Sequence, residues 1–535
     1  MEFNRRSFWG WGYADEVLPA DVVARFRGVI EQTFNLEITE RPEPSLDEVK
    51  LRPPRFPLLD SIASLCTDAK FDRAAHTFGK AYRDVVRALD GRFDDPPDYI
   101  AYPENEDDVV ALMKFCTDEG IALIPYGGGS SVVGGTEGRG LDSARGVICC
   151  DLHRLDKVLH VDPISRTARM QSGMYGPQVE AALKPHGLTL RHYPQSFEFS
   201  TLGGWIATRS GGHFATLYTH IDEFVQSLRM VTPGGVIRTR PLPGAGDGPD
   251  PNRLVVGSEG IFGIITEATM RLQNIPTHRA STTVRFADTD NAVEAVRRIS
   301  QSGLHPSNLR LISPLEAFAM GIGDGQAAMV LLGFESHDHP QDAKLERALA
   351  IATDLGGKRK NAPSSDSGEE RSTDVWKNNF IRAPYLRDRM VRAGMIMETF
   401  ETATTWDHFE EFHRVVFEKT ATAAFEQCGN AIVFWRFTHV YPDGPAVYYT
   451  VVAPGRRGEE LAQWDAIKRA ASDAIIEQGG PITHHHAVGR DHQPWYERQH
   501  GPVVLDALRR LKDGFDPAGI MNPGVLLRAP EAKDD

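Results

Sequence analysis

Apolar and polar positions change rhythm twice along the chain. Over the first ninety or so residues, apolar anchors sit in polar sequence at helix-like spacing, broken by the proline clusters RPEP (41–44) and LRPPRFP (51–57), which interrupt any helix. This predicts a helical N-terminal extension, residues 1–94, that wraps a larger body. From YIAYPENEDDVVALMKFCTDEGIALIPYGGG (99–129) the pattern reads strand, helix, buried strand and then glycines, an α/β unit with a ligand loop at its end. Further strands are predicted at GVICCDL, KVLHVD and TARMQSG and helices at 176–186 and 203–211. This unit, residues 95–275, closes near ITEATMRL (265–272).

After about residue 275 the rhythm restarts as TTVRFAD, a helix at 290–302, NLRLISP, AAMVLLGFES and a helix at 341–355. A second α+β domain over 276–500 is predicted, with 501–535 returning to the first. The polar stretch KRKNAPSSDSGEERSTD (358–374) lacks apolar periodicity and reads as a mobile loop. AIVFWRFTHVYPDGPAVYYTVVAP reads as a hairpin that turns on YPDGP.

With 535 residues, 41% hydrophobic and 25% charged, the chain suits two or three domains with buried cores. A net charge of −14 and no long Lys/Arg block argue against nucleic acid as a partner. The five cysteines have no CxxC spacing, and adjacent Cys149 and Cys150 read as part of a buried strand. No stretch approaches the ~18 apolar residues that span a bilayer. The start, MEFNRRSFWGWGYADE, lacks a secretory h-region, and EAKDD carries no peroxisomal or KDEL-type address. The expectation is a cytoplasmic protein, with peripheral membrane contact left open.

PYGGGSSVVGG (125–135) is neither the GxGxxG fingerprint, which needs a helix at once after the loop, nor a P-loop, which needs GKS or GKT. Consecutive glycines after a strand do let backbone N–H groups approach a pyrophosphate, though they serve sharp turns equally well. QSFEFSTLGGWIATRSGG (195–212) sets Ser/Thr before small residues at a helix start, and GSEGIFGIITEATMRL (257–272) brings glycines against a buried strand.

In this order the three stretches resemble the flavin domain of the vanillyl-alcohol oxidase family, the PCMH-type FAD fold, and DPAGIMNPGVLL (516–527) resembles its closing segment. The resemblance implies an α+β protein: a PCMH-type FAD-binding domain, a second α+β cap domain for substrate and the helical extension. It implies FAD held by Pro125, Gly127, Gly128, Gly129, Ser130, Ser131, Gln195, Ser200, Thr201, Thr208, Ser210, Glu259, Gly260 and Ile265. No histidine lies in Pro125–Gly140, so attachment of the flavin through that loop is not expected and FAD is predicted to be non-covalent. His213 is a histidine elsewhere that could overturn this.

PITHHHAVG (481–489) carries three adjacent histidines, open to metal ligation, catalysis or a hydrogen-bonded polar loop. In an extended segment only His484 and His486 share a face, and a complete metal site would need partners elsewhere; no metal is predicted. From WGWGYADE (9–16) onwards, and most specifically at YGGGSSVVGG, SFEFSTLGGWIATRSGG, MVTPGG, GSEGIFGIITEAT, FETATTW and HHHAVGR, the chain is similar to the alkyldihydroxyacetonephosphate synthase family.

That resemblance implies exchange of the acyl chain of an acyl-dihydroxyacetone phosphate for a fatty alcohol through a flavin N5 adduct, in ether lipid synthesis. The implied partners are a lipid-phosphate substrate, a fatty alcohol and a second copy in a homodimer. It implies catalytic roles for Tyr448 (with Tyr449 the neighbouring alternative), His484, His485, His486 and Arg310, and substrate contact by Arg387. A free phenol with pKa ~10 is mostly neutral at pH 7, so nearby histidines and a cationic arginine are expected to favour the phenolate or take its proton. Each residue alone fits a plainer role: surface ion pairs for the arginines, sheet packing for the tyrosine.

The alternative is an FAD-dependent D-2-hydroxy-acid dehydrogenase. That subgroup carries GEHG-like and GDGNxH-like segments where this chain has THHHAVG and PDGPAVYY. The missing glutamate and the tyrosine near the hairpin histidine's place favour the synthase-like site.

Overall fold

The change of rhythm near residue 275 is a change of sheet in the computed structural model, which describes residues 6–16, 18–360 and 372–528. Before that point the described residues form two main sheets and a small two-stranded pair, Leu188–Thr189 with Gln273–Asn274. The first takes β1 (Cys66–Thr67), β2 (Tyr99–Ala101), β3 (Ala122–Tyr126) and β4 (Val147–Asp151) in the order β1-β2-β4-β3, with β2, β4 and β3 parallel. Every residue of β4 is buried, Cys149 and Cys150 included, as a parallel strand covered on both faces requires. The crossover helix Glu106–Glu119 starts on Asn105, whose side chain accepts from Asp108 N–H, and stops at left-handed Gly120. The second sheet is antiparallel: β5 (Val158–Asp162), β6 (Thr167–Gln171), β7 (Val225–Thr232), β8 (Gly235–Arg238) and β9 (Ile264–Arg271), in the order β5-β6-β9-β7-β8.

After residue 275 the described residues build one antiparallel sheet from β10 (His278–Phe286), β11 (Asn308–Ile312), β12 (Ala328–Ser336), β13 (Lys358–Arg359), β14 (Met395–Ala403), β15 (Ile432–Val440) and β16 (Pro445–Pro454). Its order is β13-β10-β12-β11-β15-β16-β14. Side chains alternate across it. Val433, Trp435, Phe437, Val447, Tyr449 and Val451 enter the core with the helices Phe409–Cys428 and Glu460–Glu477. Ile432, Phe434, Arg436, Tyr448, Thr450 and Val452 face the other way, towards the first domain.

Helices of the extension span Ala20–Phe34, Asp60–Ala63, Lys70–Ala75 and Tyr82–Leu89, and both proline clusters fall between them. The extension joins two cores. Phe56 and Ile62 pack with β3 and β4, while Tyr82, Val85 and Val86 enter the core of the cap sheet.

The predicted loop at 358–374 needs correction at both ends. Lys358–Arg359 pairs with β10, and a helix, Ser372–Arg392, begins before the stretch is over; 361–371 lie outside the described residues. The helix Gln493–Phe515 kinks at Gly501, and the chain beyond it returns to β3, where Leu123 N–H donates to Ile520 O (2.8 Å) and Asn522 N–H to Leu123 O (3.0 Å). Among the described residues no helix is long and apolar enough to cross a membrane.

Candidate active site

A cavity of about 1030 Å³ lies between the glycine stretches of the first domain and the open face of the cap sheet. Every cofactor residue named from the sequence lines it, as do Tyr448, His485, His486, Arg310 and Arg387. His484 does not; it stands behind His485.

The first wall is backbone and small side chains. A Cβ at Gly128 would come within 1.8 Å of Phe199 O, so only glycine lets the loop after β3 lie against the 199–201 segment. Thr201 caps the helix Leu202–Thr208, its side chain accepting from Gly204 N–H at 3.3 Å. These peptide groups and hydroxyls, open to an elongated cavity, fit the phosphates of a dinucleotide such as FAD.

The opposite wall is one face of the cap sheet. Register sets Arg436, Tyr448 and Glu401 side by side on β15, β16 and β14, a single rung across three strands. Arg436 lays its guanidinium 3.8 Å above the Tyr448 ring. Tyr449 points to the other face, stacks on Phe400 and meets His413 Nδ1 at 3.0 Å through its hydroxyl, so of the two tyrosines only Tyr448 lines the cavity. Away from the rung the same face turns apolar. Phe434 lies about 7 Å, and Ile432, Met397 and Val452 about 13 Å, further along the strands at ~3.3 Å per residue. There Ile30 and Phe34 of the extension pack against these residues, and Leu18, Leu315, Phe318 and Met320 also line the cavity.

The histidines are not on an extended segment, which corrects the expectation that 484 and 486 alone share a face. The Glu401 carboxylate accepts from the backbone N–H of His484, from those of His485 (3.0 Å) and His486 (2.7 Å), and from Thr483 Oγ1–H (2.7 Å). Three successive N–H groups turned onto one carboxylate curl the chain, so adjacent His484 and His485 meet Nδ1 to Nδ1 at 3.1 Å. His484 Nε2 lies 3.2 Å from His220 Nε2 and 3.1 Å from Tyr441 Oη. Nitrogens of His439, His484 and His485 lie within 4.8 Å of one another, but His484 and His485 spend these contacts on hydrogen bonding.

Burial decides the charges. It pushes His484 and His439 well below the ordinary imidazole range, takes His485 to about 3 and lowers His486 and His220, so the cluster is neutral at pH 7. Burial also pushes the Tyr448 phenol up, and Arg436 opposes it. Of the expected helpers, the histidines are neutral, which leaves them the part of proton acceptors, and the cationic arginine against Tyr448 is Arg436, not Arg310 or Arg387. Arg310 is deeply buried, donates to Asn308 Oδ1 (3.0 Å) and His213 O (3.2 Å), and is lowered to about 9 by burial and by Arg436. Arg387 lines the cavity, but its fork holds Asp388 (2.7 and 3.0 Å) and Lys80 O (2.6 Å).

Glu401, Arg436, Glu316, His439 and His220 escaped the sequence reading. Alternation along FWRFT would have put Arg436 on the face of Phe434. His439 had no such signal, because a register shift between Phe437 and His439 turns it towards the cavity beside Thr438.

Two family models match the chain: FAD binding domain over residues 97–240 and FAD linked oxidases, C-terminal domain, over 275–526. Alkyldihydroxyacetonephosphate synthase of Dictyostelium discoideum is 31% identical, covering 88% of this chain and 79% of its own. A solved structure of an alkyldihydroxyacetonephosphate synthase superposes with a TM-score of 0.80 at 25% identity, over 97% of this chain and 98% of that one. p-Cresol methylhydroxylase superposes with a TM-score of 0.66 at 16% identity, over 86% of this chain and 93% of that one, a likeness of fold alone. The architecture is thus a PCMH-type FAD-binding domain followed by an α+β domain.

Proposed function

The chain belongs to the alkyldihydroxyacetonephosphate synthase family of FAD-linked oxidases, and we propose from that premise that it exchanges the acyl chain of an acyl-dihydroxyacetone phosphate for a fatty alcohol. The observation that carries this reading is the gradient along one cavity, from the Arg436–Tyr448–Glu401 rung to an apolar arm lined by the extension. A polar headgroup and a long chain need such a gradient; a small hydroxy acid has no use for the arm.

Bound FAD supplies a ring system that takes an electron pair from substrate and returns it, so the exchange requires no external oxidant. Tyr448 is placed to take and return the proton on the carbon that bears the ester oxygen. The neutral imidazoles of His485 and His486, 6.3 and 5.5 Å from its ring centre to centre, are suited to receive that proton in turn. Arg310 and Arg387 suit the phosphate; for Arg387 this means exchanging its grip on Asp388 for the substrate. The carboxylate product and the incoming alcohol use the same apolar arm. FAD is held without a covalent bond, peripheral membrane contact serves substrate delivery, and the enzyme works as a homodimer.

The test uses purified protein. Palmitoyl-dihydroxyacetone phosphate, added without electron acceptor, is expected to bleach the flavin spectrum and release palmitate, and hexadecanol to yield the alkyl product. Bleaching by D-2-hydroxy acids alone, with reoxidation by an acceptor dye, would overturn the proposal. Retention of the flavin on the protein after acid precipitation would overturn the non-covalent assignment.

A further inference from the structure

We propose that Arg436 and Glu316 form an opposed pair that sets the proton affinity of Tyr448, making Arg436 a positioning residue of the exchange reaction. The inference rests on the reading of Tyr448 as the proton-transfer group. Tyr448 is met from every side by groups already placed. Arg436 comes from β15, Thr399 and Glu401 from β14, His485 and His486 from the turn, and Glu316 from the helix Pro314–Ala319, with Arg310 on β11 near the last.

The imidazoles are neutral. Glu401 is ionised and also raises the phenol, but its charge is shared among three backbone N–H groups and a hydroxyl, and Arg310 acts on Glu316. Arg436 and Glu316 are the two opposite charges that act on the phenol while paired directly with each other. The Arg436 guanidinium carbon lies over the ring, 3.8 Å from its centroid, where a cation stabilises phenolate more than phenol. Its Nη1 pairs with Glu316 Oε1, and its Nε donates to Thr438 Oγ1 at 3.1 Å. Glu316 is 1% exposed, and its second oxygen, Oε2, has no hydrogen-bond partner among the described residues. Such a carboxylate reports its charge to its surroundings almost undamped: it weakens the pull of Arg436 on the phenol and raises the phenol's hold on its proton. One rung neighbour and one helix thus act on Tyr448 with opposite sign. A merely structural ion pair gives no such signature, because losing either partner would then loosen the site in the same way.

The experiment is a direct titration of Tyr448 in the FAD-loaded, full-length enzyme labelled with ¹³Cζ-tyrosine, the resonance being assigned by its loss in Tyr448→Phe. Glu316→Gln is expected to lower the midpoint by about 1 pH unit or more, and Arg436→Met to raise it or to abolish titration up to the pH at which the fold is lost. Arg436→Lys keeps the charge without the guanidinium over the ring and is expected to fall between wild type and Arg436→Met. Where Arg436→Met does not fold, the Glu316→Gln and Arg436→Lys shifts decide. Shifts of the same sign, or a Glu316→Gln midpoint equal to wild type, overturn the proposal. Exchange turnover that survives Tyr448→Phe would instead sink the proposed function while leaving the titration result standing.

Discussion

Two buried glutamates hold the ends of one short segment, and they hold their protons oppositely. On the cap wall, Glu401 takes the N–H groups of residues 484, 485 and 486 and the Thr483 hydroxyl. On the flavin wall, Glu259 takes only those of Val488 (2.8 Å) and Gly489 (2.7 Å). Burial raises both carboxyls. At Glu259 it prevails over the two N–H bonds, and the group is pushed up to about 7. At Glu401 the surrounding imidazoles and backbone donors outweigh it, and the carboxyl is held below its ordinary range. Equal burial does not mean equal charge: the polar groups turned onto each carboxylate decide the sign. The segment from Thr483 to Gly489 therefore joins the two walls through one firmly ionised anchor and one that titrates near neutrality.

The comparison breaks most sharply at Glu401. Glu401→Ala orphans three buried N–H groups and a hydroxyl, and is expected to cost roughly 3–5 kcal/mol in chemical denaturation. By letting His485 and His486 drift it is also expected to lower turnover by about 10²-fold. Wild-type stability and turnover in this variant would mean that the turn holds its shape without the carboxylate. The pH dependence has a definite sign. A carboxyl with a depressed pKa stabilises the fold above its unfolded value and loses that contribution as pH falls, so the Glu401 contribution declines below about pH 4.5.

Glu259 should behave in the opposite sense. Its proton is held more tightly in the folded protein, so stability falls as pH rises from about 4.5 to about 7, by about 3 kcal/mol in total. Glu259→Gln, which cannot ionise, is expected to flatten that interval in a series of denaturation curves. An unchanged slope would assign the titration to another group.

Between the walls, legibility from sequence differs for the same physical reason. The flavin wall is built from local backbone chemistry, so glycine stretches such as PYGGGSSVVGG mark it directly, and its residues line the cavity together. The cap wall depends on register, which no short stretch encodes. Pairing carried down regularly from Val440–Pro445 would set Phe437 opposite Tyr448. The irregularity between Phe437 and His439 slides the strands by one and brings Arg436 there instead. Tyr448 and Tyr449 were inseparable on sequence for the same reason, since alternation says that they face opposite ways but not which faces the cavity. Glu401 sits in FETATTW, where a glutamate among threonines reads as an ordinary strand residue; its partners lie some eighty positions away.

A smaller change tests the flavin-side anchor without touching a carboxylate. Gly489 has φ +56°, and a Cβ there would lie 2.1 Å from Val133 O. Gly489→Ala must move the N–H that Glu259 accepts, and is expected to cost roughly 1–3 kcal/mol by thermal or chemical denaturation. It should also extend the Glu259-dependent interval above pH 7, since one of two opposing donors is weakened. Loss of stability with no change in that interval would separate the backbone clash from the carboxyl's charge.

The gentlest test concerns redundancy. Thr483 Oγ1–H is one of four donors on Glu401 and the only one that a side-chain substitution can remove without moving the backbone. The same oxygen accepts from His486 N–H at 3.1 Å, so it also braces the turn internally. Thr483→Val keeps the shape and β-branch and removes both contacts. With three N–H groups still in place, Glu401 should remain ionised at neutral pH and the loss should be about 1 kcal/mol, with turnover little changed. Thr483→Ser, which retains the hydroxyl, should recover most of it. A Thr483→Val loss as large as that of Glu401→Ala would mean that the hydroxyl, and not the run of backbone donors, keeps this carboxylate charged, and the contrast with Glu259 would then rest on a single side chain.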